Sequence, residues 1–304
     1  MALFNLKVSA LSFSILPALF LLTLNCNAQT DNEVISFDSS IVVLNASITD
    51  TSGKAVLGIG QKYFKVFEDG AEQDIKTLEA EESPFAAVIL LDTSGSMEER
   101  VTLARAAAIN FLNGLRRTDS AAIYNFDSKV ELVQDFSNSE YIADRAFDLK
   151  AKGMTVLNDA VYKAAEILSK RSEKRRAIIV LSDGADTMSK KTTDAALKAA
   201  LLAGATVYSV DMSALDVGGR DRMQNQGVLK NFAEKTGGRF IAAPGGFAMR
   251  DAFKHIVEEL GVQYTITYEP SNLRKDGKWR SIELRVAKPN LTIRTRKGYN
   301  APKK

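Results

Sequence analysis

The stretch AAVILLDTSGSM, residues 86–97, joins a continuous apolar run directly to a cluster of hydroxyl and carboxylate side chains. An uninterrupted apolar run predicts a β-strand that is covered on both faces, as the strands of a parallel sheet are. A second run of this kind, residues 177–181, leads into Ser182 and Asp183. Ligands of open α/β sheets bind beyond the carboxyl ends of the strands. Asp92 and Asp183 are therefore predicted to lie at one common edge.

Residues 85–262 alternate between strand-like and helix-like segments. The spacing of apolar residues favours helices at residues 101–115, 141–149, 159–168, 193–203, 229–235 and 247–260. Short apolar or alternating runs favour further strands at residues 121–126, 130–136, 206–210 and 239–242. Strands that alternate with helices predict an α/β fold, here a doubly wound, Rossmann-like and mostly parallel sheet with helices on both faces.

Both flanks of this central region are rich in strand patterns. Strands are predicted at residues 42–48, 63–67 and 74–78 before it, and at 264–268, 279–286 and 291–295 after it. We expect the two flanks to build one accessory β-rich unit. The predicted organisation is a leader (1–28), an N-terminal β-rich segment (29–84), a central domain (85–262) and a C-terminal β-strand extension (263–304).

Residues 1–28 have the pattern of a secretory signal peptide. Lys7 is the only charged residue among them, residues 8–24 are mostly apolar, and small residues surround the cleavage position. Cleavage after Ala28 predicts a secreted or periplasmic protein. Two alternatives stay open: an uncleaved membrane anchor, and a lipoprotein acylated at Cys26. Because Cys26 is the only cysteine, cleavage leaves a mature chain without disulfides.

The charge balance of the chain bears on the class of partner. With 40 Lys and Arg against 37 Asp and Glu, the net charge of +3 gives no basis for a nucleic-acid partner. Residues 274–304 are locally basic, and two interpretations stay open. Ile282 and Leu284 alternate with Glu283 and Arg285, which is typical of a half-buried strand with a solvated face. The other interpretation is a patch for anionic lipid or an envelope polymer.

Five side chains in three separate loops present only oxygen as a possible metal ligand. They are Asp92, Ser94, Ser96, Thr155 and Asp183. Hard oxygen ligands suit Mg²⁺ or Mn²⁺ and are poor for zinc or copper(I). Two carboxylates match the charge of a divalent cation, and the three hydroxyls add none. The alternative is that these residues only make turns and caps, with Ser96 as the cap of the next helix.

The five positions resemble the metal-ion-dependent adhesion site of von Willebrand factor type A domains, and all five match that motif. Further likeness lies at residues 126–127 (FD), 235–239 (KTGGR) and 296–299 (RKGY), which look like a bacterial exported subgroup of these domains. Residues 213–227 do not align with that subgroup. They are either a variable loop that contributes to specificity or a mere connection.

The resemblance implies a role for each of the five residues. Ser94, Ser96 and Thr155 would coordinate the cation directly, while Asp92 and Asp183 would do so directly or through water. The resemblance also implies a protein ligand that provides an Asp or Glu carboxylate to the cation. We therefore expect an exported, metal-dependent, adhesion-type binding module. A structural envelope protein with a stabilising metal site is one alternative.

An enzymatic function is the other alternative, and the sequence argues against it. His255 is the only histidine, and its apolar helical neighbours predict a surface or core-edge residue rather than a catalytic base. The strongest enzymatic rival is Mg²⁺-dependent phosphoryl transfer with Asp92 as nucleophile. Ser94 stands where that chemistry usually has a second carboxylate, and the sequence contains no glycine-rich phosphate loop with its lysine.

Overall fold

The computed structural model describes residues 41–80, 83–138, 153–213, 219–243 and 246–303, so the predicted signal peptide and the predicted helix 141–149 lie outside the described residues. The strands are β1 (Val42–Thr49), β2 (Phe64–Glu68), β3 (Ala71–Gln73), β4 (Ile75–Glu79), β5 (Phe85–Asp92), β6 (Ser120–Phe126), β7 (Val130–Ser137), β8 (Arg175–Ser182), β9 (Ala205–Asp211), β10 (Phe240–Ala242), β11 (Tyr264–Tyr268), β12 (Trp279–Val286), β13 (Thr292–Thr295) and β14 (Gly298–Asn300). The helices are α1 (Val101–Asn113), α2 (Leu157–Ser169), α3 (Thr193–Leu202), α4 (Arg220–Thr236) and α5 (Gly246–Gly261).

The central sheet has the strand order β10-β9-β8-β5-β6-β7. Neighbouring strands are parallel, except that β6 and β7 are antiparallel. From β5 the chain winds outward through β6 and β7, then returns to β8 on the other side of β5 and winds outward again. The predicted doubly wound, mostly parallel α/β fold is therefore confirmed. The winding reverses between β5 and β8, which is where such sheets bind ligands.

Helices cover both faces of this sheet because its central strand is apolar on both sides. All residues of β5 are buried. Successive residues point to opposite faces, so Ile89 belongs to the core with α1 and α5, and Val88 to the core with α2, α3 and α4. Phe111 and Phe253 join α1 to α5 edge to face, with ring centroids 6.2 Å apart. None of the described helices is long and apolar enough to cross a membrane.

The two flanks build the accessory β-unit together, as predicted. One antiparallel sheet has the order β13-β1-β11-β4 and the other has the order β14-β12-β2-β3, so each combines strands from both sides of the central region. Leu44, Val66, Tyr264 and Ile282, from four different strands, belong to one apolar core. The fold class is confirmed in both its parts, and the predicted domain boundaries stay predictions.

A buried arginine joins the accessory unit to the amino end of the central sheet. Arg175, the first residue of β8, donates hydrogen bonds to the Gln263 carbonyl at 2.5 Å and to the Thr265 hydroxyl at 3.3 Å. It also donates to the Gly261 carbonyl at 3.4 Å. Burial, together with the positive charge of Arg116, lowers the pKa of Arg175 to about 10. These bonds hold the connection between α5 and β11 against the sheet.

Helix α4 begins earlier than the sequence predicts. The predicted helix 229–235 is only its C-terminal part, and a portion of the unaligned segment 213–227 is helical as well. The first turns of α4 are polar, so apolar spacing does not reveal them. A tertiary contact supports them instead, since the Gln226 side-chain amide donates to Asp211 Oδ2 at 2.7 Å.

Gly227 lies inside α4, and no atom lies within 4 Å of the position that a Cβ would occupy there. Glycine is less favourable than alanine in a helix interior because it loses more backbone entropy on folding. We expect Gly227→Ala to raise the free energy of unfolding by roughly 0.5–1 kcal/mol. Urea unfolding measures the change, and a less stable variant would argue against a helix that runs through this position.

The locally basic C-terminal region contains a strand with the predicted alternation. Ile282 and Leu284 of β12 are buried, whereas Glu283 and Arg285 are exposed and form an ion pair at 2.7 Å. Arg280 is also buried, at a position where the alternation calls for an apolar residue. The interpretation as a half-buried strand is confirmed, and contact with lipid or envelope polymer stays a prediction.

Candidate metal centre

Asp92 ends β5 at the point where the winding of the sheet reverses, and its side chain is buried. Its Oδ1 accepts a hydrogen bond from the Ser94 backbone N–H at 2.9 Å, and its Oδ2 accepts one from the Ser182 hydroxyl at 2.5 Å. Burial raises the pKa of Asp92 to about 7, although the hydrogen bonds from Ser182 and Ser94 lower it; the charge of Asp183 raises it further. Ionisation of Asp92 is therefore less favourable here than in water, and a bound cation would offset that cost.

The turn that follows β5 brings two serine hydroxyls together. Ser94 Oγ and Ser96 Oγ are 3.2 Å apart, with Ser94 buried and Ser96 exposed. The residues Gly95–Met97 form a single 3-10 turn, which Met97 anchors in the apolar core with α1 and α5. The alternative in which Ser96 caps the next helix is wrong, because α1 begins at Val101 and its N-terminus has no side-chain cap.

Backbone hydrogen bonds hold the Thr155 loop between the loops that follow β5 and β8. On one side, the Gly95 N–H donates to the Gly153 carbonyl at 3.2 Å. On the other side, the Thr155 carbonyl accepts bonds from the N–H groups of Thr187 and Met188, at 2.9 and 3.0 Å. Gly153 has a φ of 71°, a left-handed conformation that favours glycine. Thr155 is thereby buried between the two loops.

Asp183 stands one residue beyond Ser182, the last residue of β8. Because β5 and β8 are parallel neighbours in register, Asp92 and Ser182 end their strands side by side. Asp183 is partly exposed, and its Oδ1 accepts the Ala185 N–H at 3.0 Å. Its charge is close enough to Asp92 to raise the pKa of that carboxyl.

The three loops therefore meet at the carboxyl edge of the sheet, which is the edge formed by the last residues of β5, β8 and β9. Asp92, Ser94 and Ser96 are linked by hydrogen bonds, while Thr155 and Asp183 stand on the two adjoining loops. Two carboxylates and three hydroxyls make a hard, oxygen-only donor set, which fits Mg²⁺ or Mn²⁺. The assignment of these five residues as metal ligands stays a prediction.

Ser182 is a residue of the site that sequence reasoning missed. Its hydroxyl donates to Asp92 Oδ2 and accepts the Gly184 N–H at 2.9 Å, so it fixes both the carboxylate and the turn that follows β8. Its place at the end of an apolar run, next to Asp183, was visible in the sequence. Only the register of β5 and β8 shows that it faces Asp92.

The part of the chain that carries these loops matches a known family. Residues 87–185 match the model of the von Willebrand factor type A domain. This range contains all five candidate ligands and Ser182. The central region has a von Willebrand factor type A-like α/β fold, with the two antiparallel sheets as additions to it. No curated protein matches the chain.

Solved structures resemble the chain over part of its length. The PilB minor pilin from Streptococcus sanguinis is 13% identical with a TM-score of 0.48, over 59% of this chain and 62% of the pilin. The conserved hypothetical protein BatB from Bacteroides thetaiotaomicron is 18% identical with a TM-score of 0.48, over 58% of this chain and 98% of BatB. The vWF domain of the type V pili tip protein Mfa5 from Porphyromonas gingivalis is 15% identical with a TM-score of 0.49, over 58% of this chain and 95% of the Mfa5 domain. The chain thus spans less than two thirds of the minor pilin.

His255 lies on the surface of α5. Its side chain is 64% exposed, and its Nδ1 is 3.3 Å from Glu258 Oε2. The prediction of a surface or core-edge histidine is confirmed. That the chain is not an enzyme stays a prediction.

Proposed function

We propose that the chain is an adhesion-type module that binds a partner protein through a divalent cation, Mg²⁺ or Mn²⁺. The observation that carries the proposal is the buried Asp92 carboxylate, which Ser94 and Ser182 orient at the carboxyl edge beside neighbouring hydroxyl groups. A bound cation would stabilise the ionised carboxylate in this position. The match of residues 87–185 to the von Willebrand factor type A domain supports the same function.

Each candidate ligand has a role in this proposal. Ser94, Ser96 and Thr155 would contact the cation directly, and Asp92 and Asp183 would hold it directly or through water. Because the three hydroxyls add no negative charge, a remaining coordination position would favour an anionic oxygen. The cation, when bound, would supply a positive centre for an Asp or Glu carboxylate of the partner protein.

We also propose that the module acts outside the cytoplasm, as a secreted or periplasmic protein. The proposal rests on the signal-peptide pattern of residues 1–28. Peripheral contact of the basic region 274–304 with anionic lipid or envelope polymer is a separate proposal of the same kind.

Two peptides that differ in one carboxylate test the proposed function. Gly-Gly-Asp-Gly-Gly and Gly-Gly-Asn-Gly-Gly are displayed densely on beads, so that many weak contacts add up. The full chain is incubated with each kind of bead in Mg²⁺ or in EDTA. We expect retention on the Asp beads in Mg²⁺, loss of that retention in EDTA, and none on the Asn beads. The physical reason is that only the carboxylate completes the coordination of the cation.

Other outcomes of the bead experiment would contradict the proposal. Equal retention on the two kinds of bead, or equal retention in Mg²⁺ and EDTA, would show that no cation–carboxylate contact is involved. If Mg²⁺ raises the melting temperature but never supports retention, the cation only stiffens the loops, as in the structural alternative. Hydrolysis of a generic phosphate ester that Asp92→Asn abolishes would favour phosphoryl transfer instead.

A further inference from the structure

The methionines within the described residues fall into two groups by burial. Of the six within the described residues, Met97, Met212 and Met249 are buried in the core with α1 and α5. The other three are exposed, with Met154 at 54%, Met188 at 52% and Met223 at 76%. We name these three the methionine rim. Exposed apolar side chains that cluster at one place mark an interaction surface.

Met154 and Met188 flank Thr155, one of the candidate metal ligands. Met154 precedes Thr155 in the chain, and its N–H donates to Ser128 Oγ at 3.3 Å. The Met188 N–H donates to the Thr155 carbonyl at 3.0 Å. Met154 is therefore next to Thr155 in the chain, and Met188 is held to it by a backbone hydrogen bond. Both methionine side chains are exposed to solvent.

Met223 reaches the same edge from helix α4. Three residues further along, Gln226 donates to Asp211, the last residue of β9. The carbonyl of Asn225 approaches Gly184, next to Asp183, so closely that a Cβ on Gly184 would lie 2.5 Å from it. Met223 precedes Asn225 by two residues, which is about 3 Å along the helix axis towards the helix N-terminus. Met223 therefore lies near the start of α4 at the carboxyl edge, where its side chain is exposed.

We propose that the methionine rim binds apolar side chains next to the acidic residue of the partner. The partner segment is then a carboxylate with aliphatic or aromatic neighbours, rather than a carboxylate in a polar or charged segment. The inference rests on the proposed function, because the cation would place the carboxylate between the loops that carry the rim. Methionine suits this role, since its flexible and polarisable side chain adapts to neighbours of different shape.

A series of peptides with one fixed aspartate tests the rim. The residues before and after the aspartate are Leu in one peptide, Ser in a second and Lys in a third. The full chain in Mg²⁺ is expected to bind the Leu-flanked peptide at least about tenfold more tightly than the Ser-flanked one, as expected from covering one large apolar side chain. The affinity for the Lys-flanked peptide should be no higher than that for the Ser-flanked peptide.

Three variants connect that preference to the rim. The triple variant Met154→Ser, Met188→Ser, Met223→Ser should lose the preference for Leu, and the corresponding triple change to Leu should keep it. Leu273→Ser is the matched control. Leu273 is 70% exposed, within the range of the three methionines, but lies in the accessory unit, so this variant should also keep the preference. Mg²⁺ affinity, measured by calorimetry, should be the same in all of them.

The outcomes separate this inference from the proposed function. Mg²⁺-dependent binding of all three peptides with equal affinity would overturn the rim and leave the proposed function intact. A preference for Leu that survives in the Ser triple variant would overturn the rim as well. Absence of Mg²⁺-dependent binding to any aspartate peptide would contradict the proposed function, and the rim with it.

Discussion

Asp92→Asn is expected to weaken Mg²⁺ and Mn²⁺ binding at least about 100-fold. Loss of a residue that only supports a metal ligand costs up to about 100-fold in affinity, and Asp92 is predicted to contribute a carboxylate to the site itself. The substitution removes one of two carboxylates that balance the cation and preserves the volume of the side chain. In the wild type, Mg²⁺ at about 100 times its Kd should raise the free energy of unfolding by about 2.7 kcal/mol. Thermal unfolding in Mg²⁺ and in EDTA should show this rise in the wild type and at most about 0.4 kcal/mol in the variant.

Asp211→Asn is the matched control for that experiment. Asp211 also ends a strand at the carboxyl edge, is also buried, and also accepts the N–H of the residue two positions on, Ser213, at 2.9 Å. It lies on β9, which carries none of the five predicted ligands, so its variant should keep the Mg²⁺ effect. Loss of the effect in Asp211→Asn but not in Asp92→Asn would place the cation elsewhere.

Gly237→Ala is expected to lower the free energy of unfolding by roughly 2–5 kcal/mol, the cost of a left-handed alanine plus that of an overpacked contact. Gly237 ends α4 with a φ of 85°, in the left-handed region that disfavours every residue with a Cβ. In addition, a Cβ there would lie 2.4 Å from the backbone carbon of Thr295, where the helix end packs against the accessory unit. A backbone hydrogen bond from Lys297 N–H to the Lys235 carbonyl, 3.0 Å long, fixes that contact. Neither backbone can move without disturbing the other.

Gly204→Ala separates the cost of the left-handed backbone from the cost of the steric contact. Gly204 also has a left-handed φ, 64°, but nothing lies within 4 Å of its Cβ position. Its variant should therefore lose only about 1–2 kcal/mol, the cost of the left-handed conformation. Urea unfolding of both variants gives the difference. Equal losses at Gly204 and Gly237 would mean that the contact between α4 and the accessory unit contributes nothing to stability.

The sequence was sufficient for those parts of the fold that depend on local pattern. The apolar runs 86–91 and 177–181 indicate strands covered on both faces, and they are neighbouring parallel strands of the central sheet. Because side chains just after such strands collect at one edge, the loops of Asp92 and Asp183 could be placed together from the sequence, whereas Thr155, just before α2, was found only through the motif resemblance. Strand patterns in both flanks predicted the accessory unit in the same way.

The features that the sequence did not reveal depend on specific side-chain contacts. The first turns of α4 carry no apolar spacing and are supported by the bond from Gln226 to Asp211. Arg280 occupies a buried position of β12 because Asp276 accepts its hydrogen bond at 2.9 Å. Ser182 looks like any strand-ending serine until the register of β5 and β8 places it against Asp92. Gln226 and Ser182 lie 15 and 90 residues from their partners, and Asp276, four residues before Arg280, lies outside any helix, so no periodic pattern reports these contacts.

Calorimetric titration of the full chain with Mg²⁺ and Mn²⁺, with Asp92→Asn titrated alongside, decides whether the chain holds a cation at Asp92. We expect saturable binding of one cation per chain in the wild type and no saturable heat in the variant. Absence of binding up to millimolar metal, or equal binding by both proteins, would contradict a metal centre at Asp92.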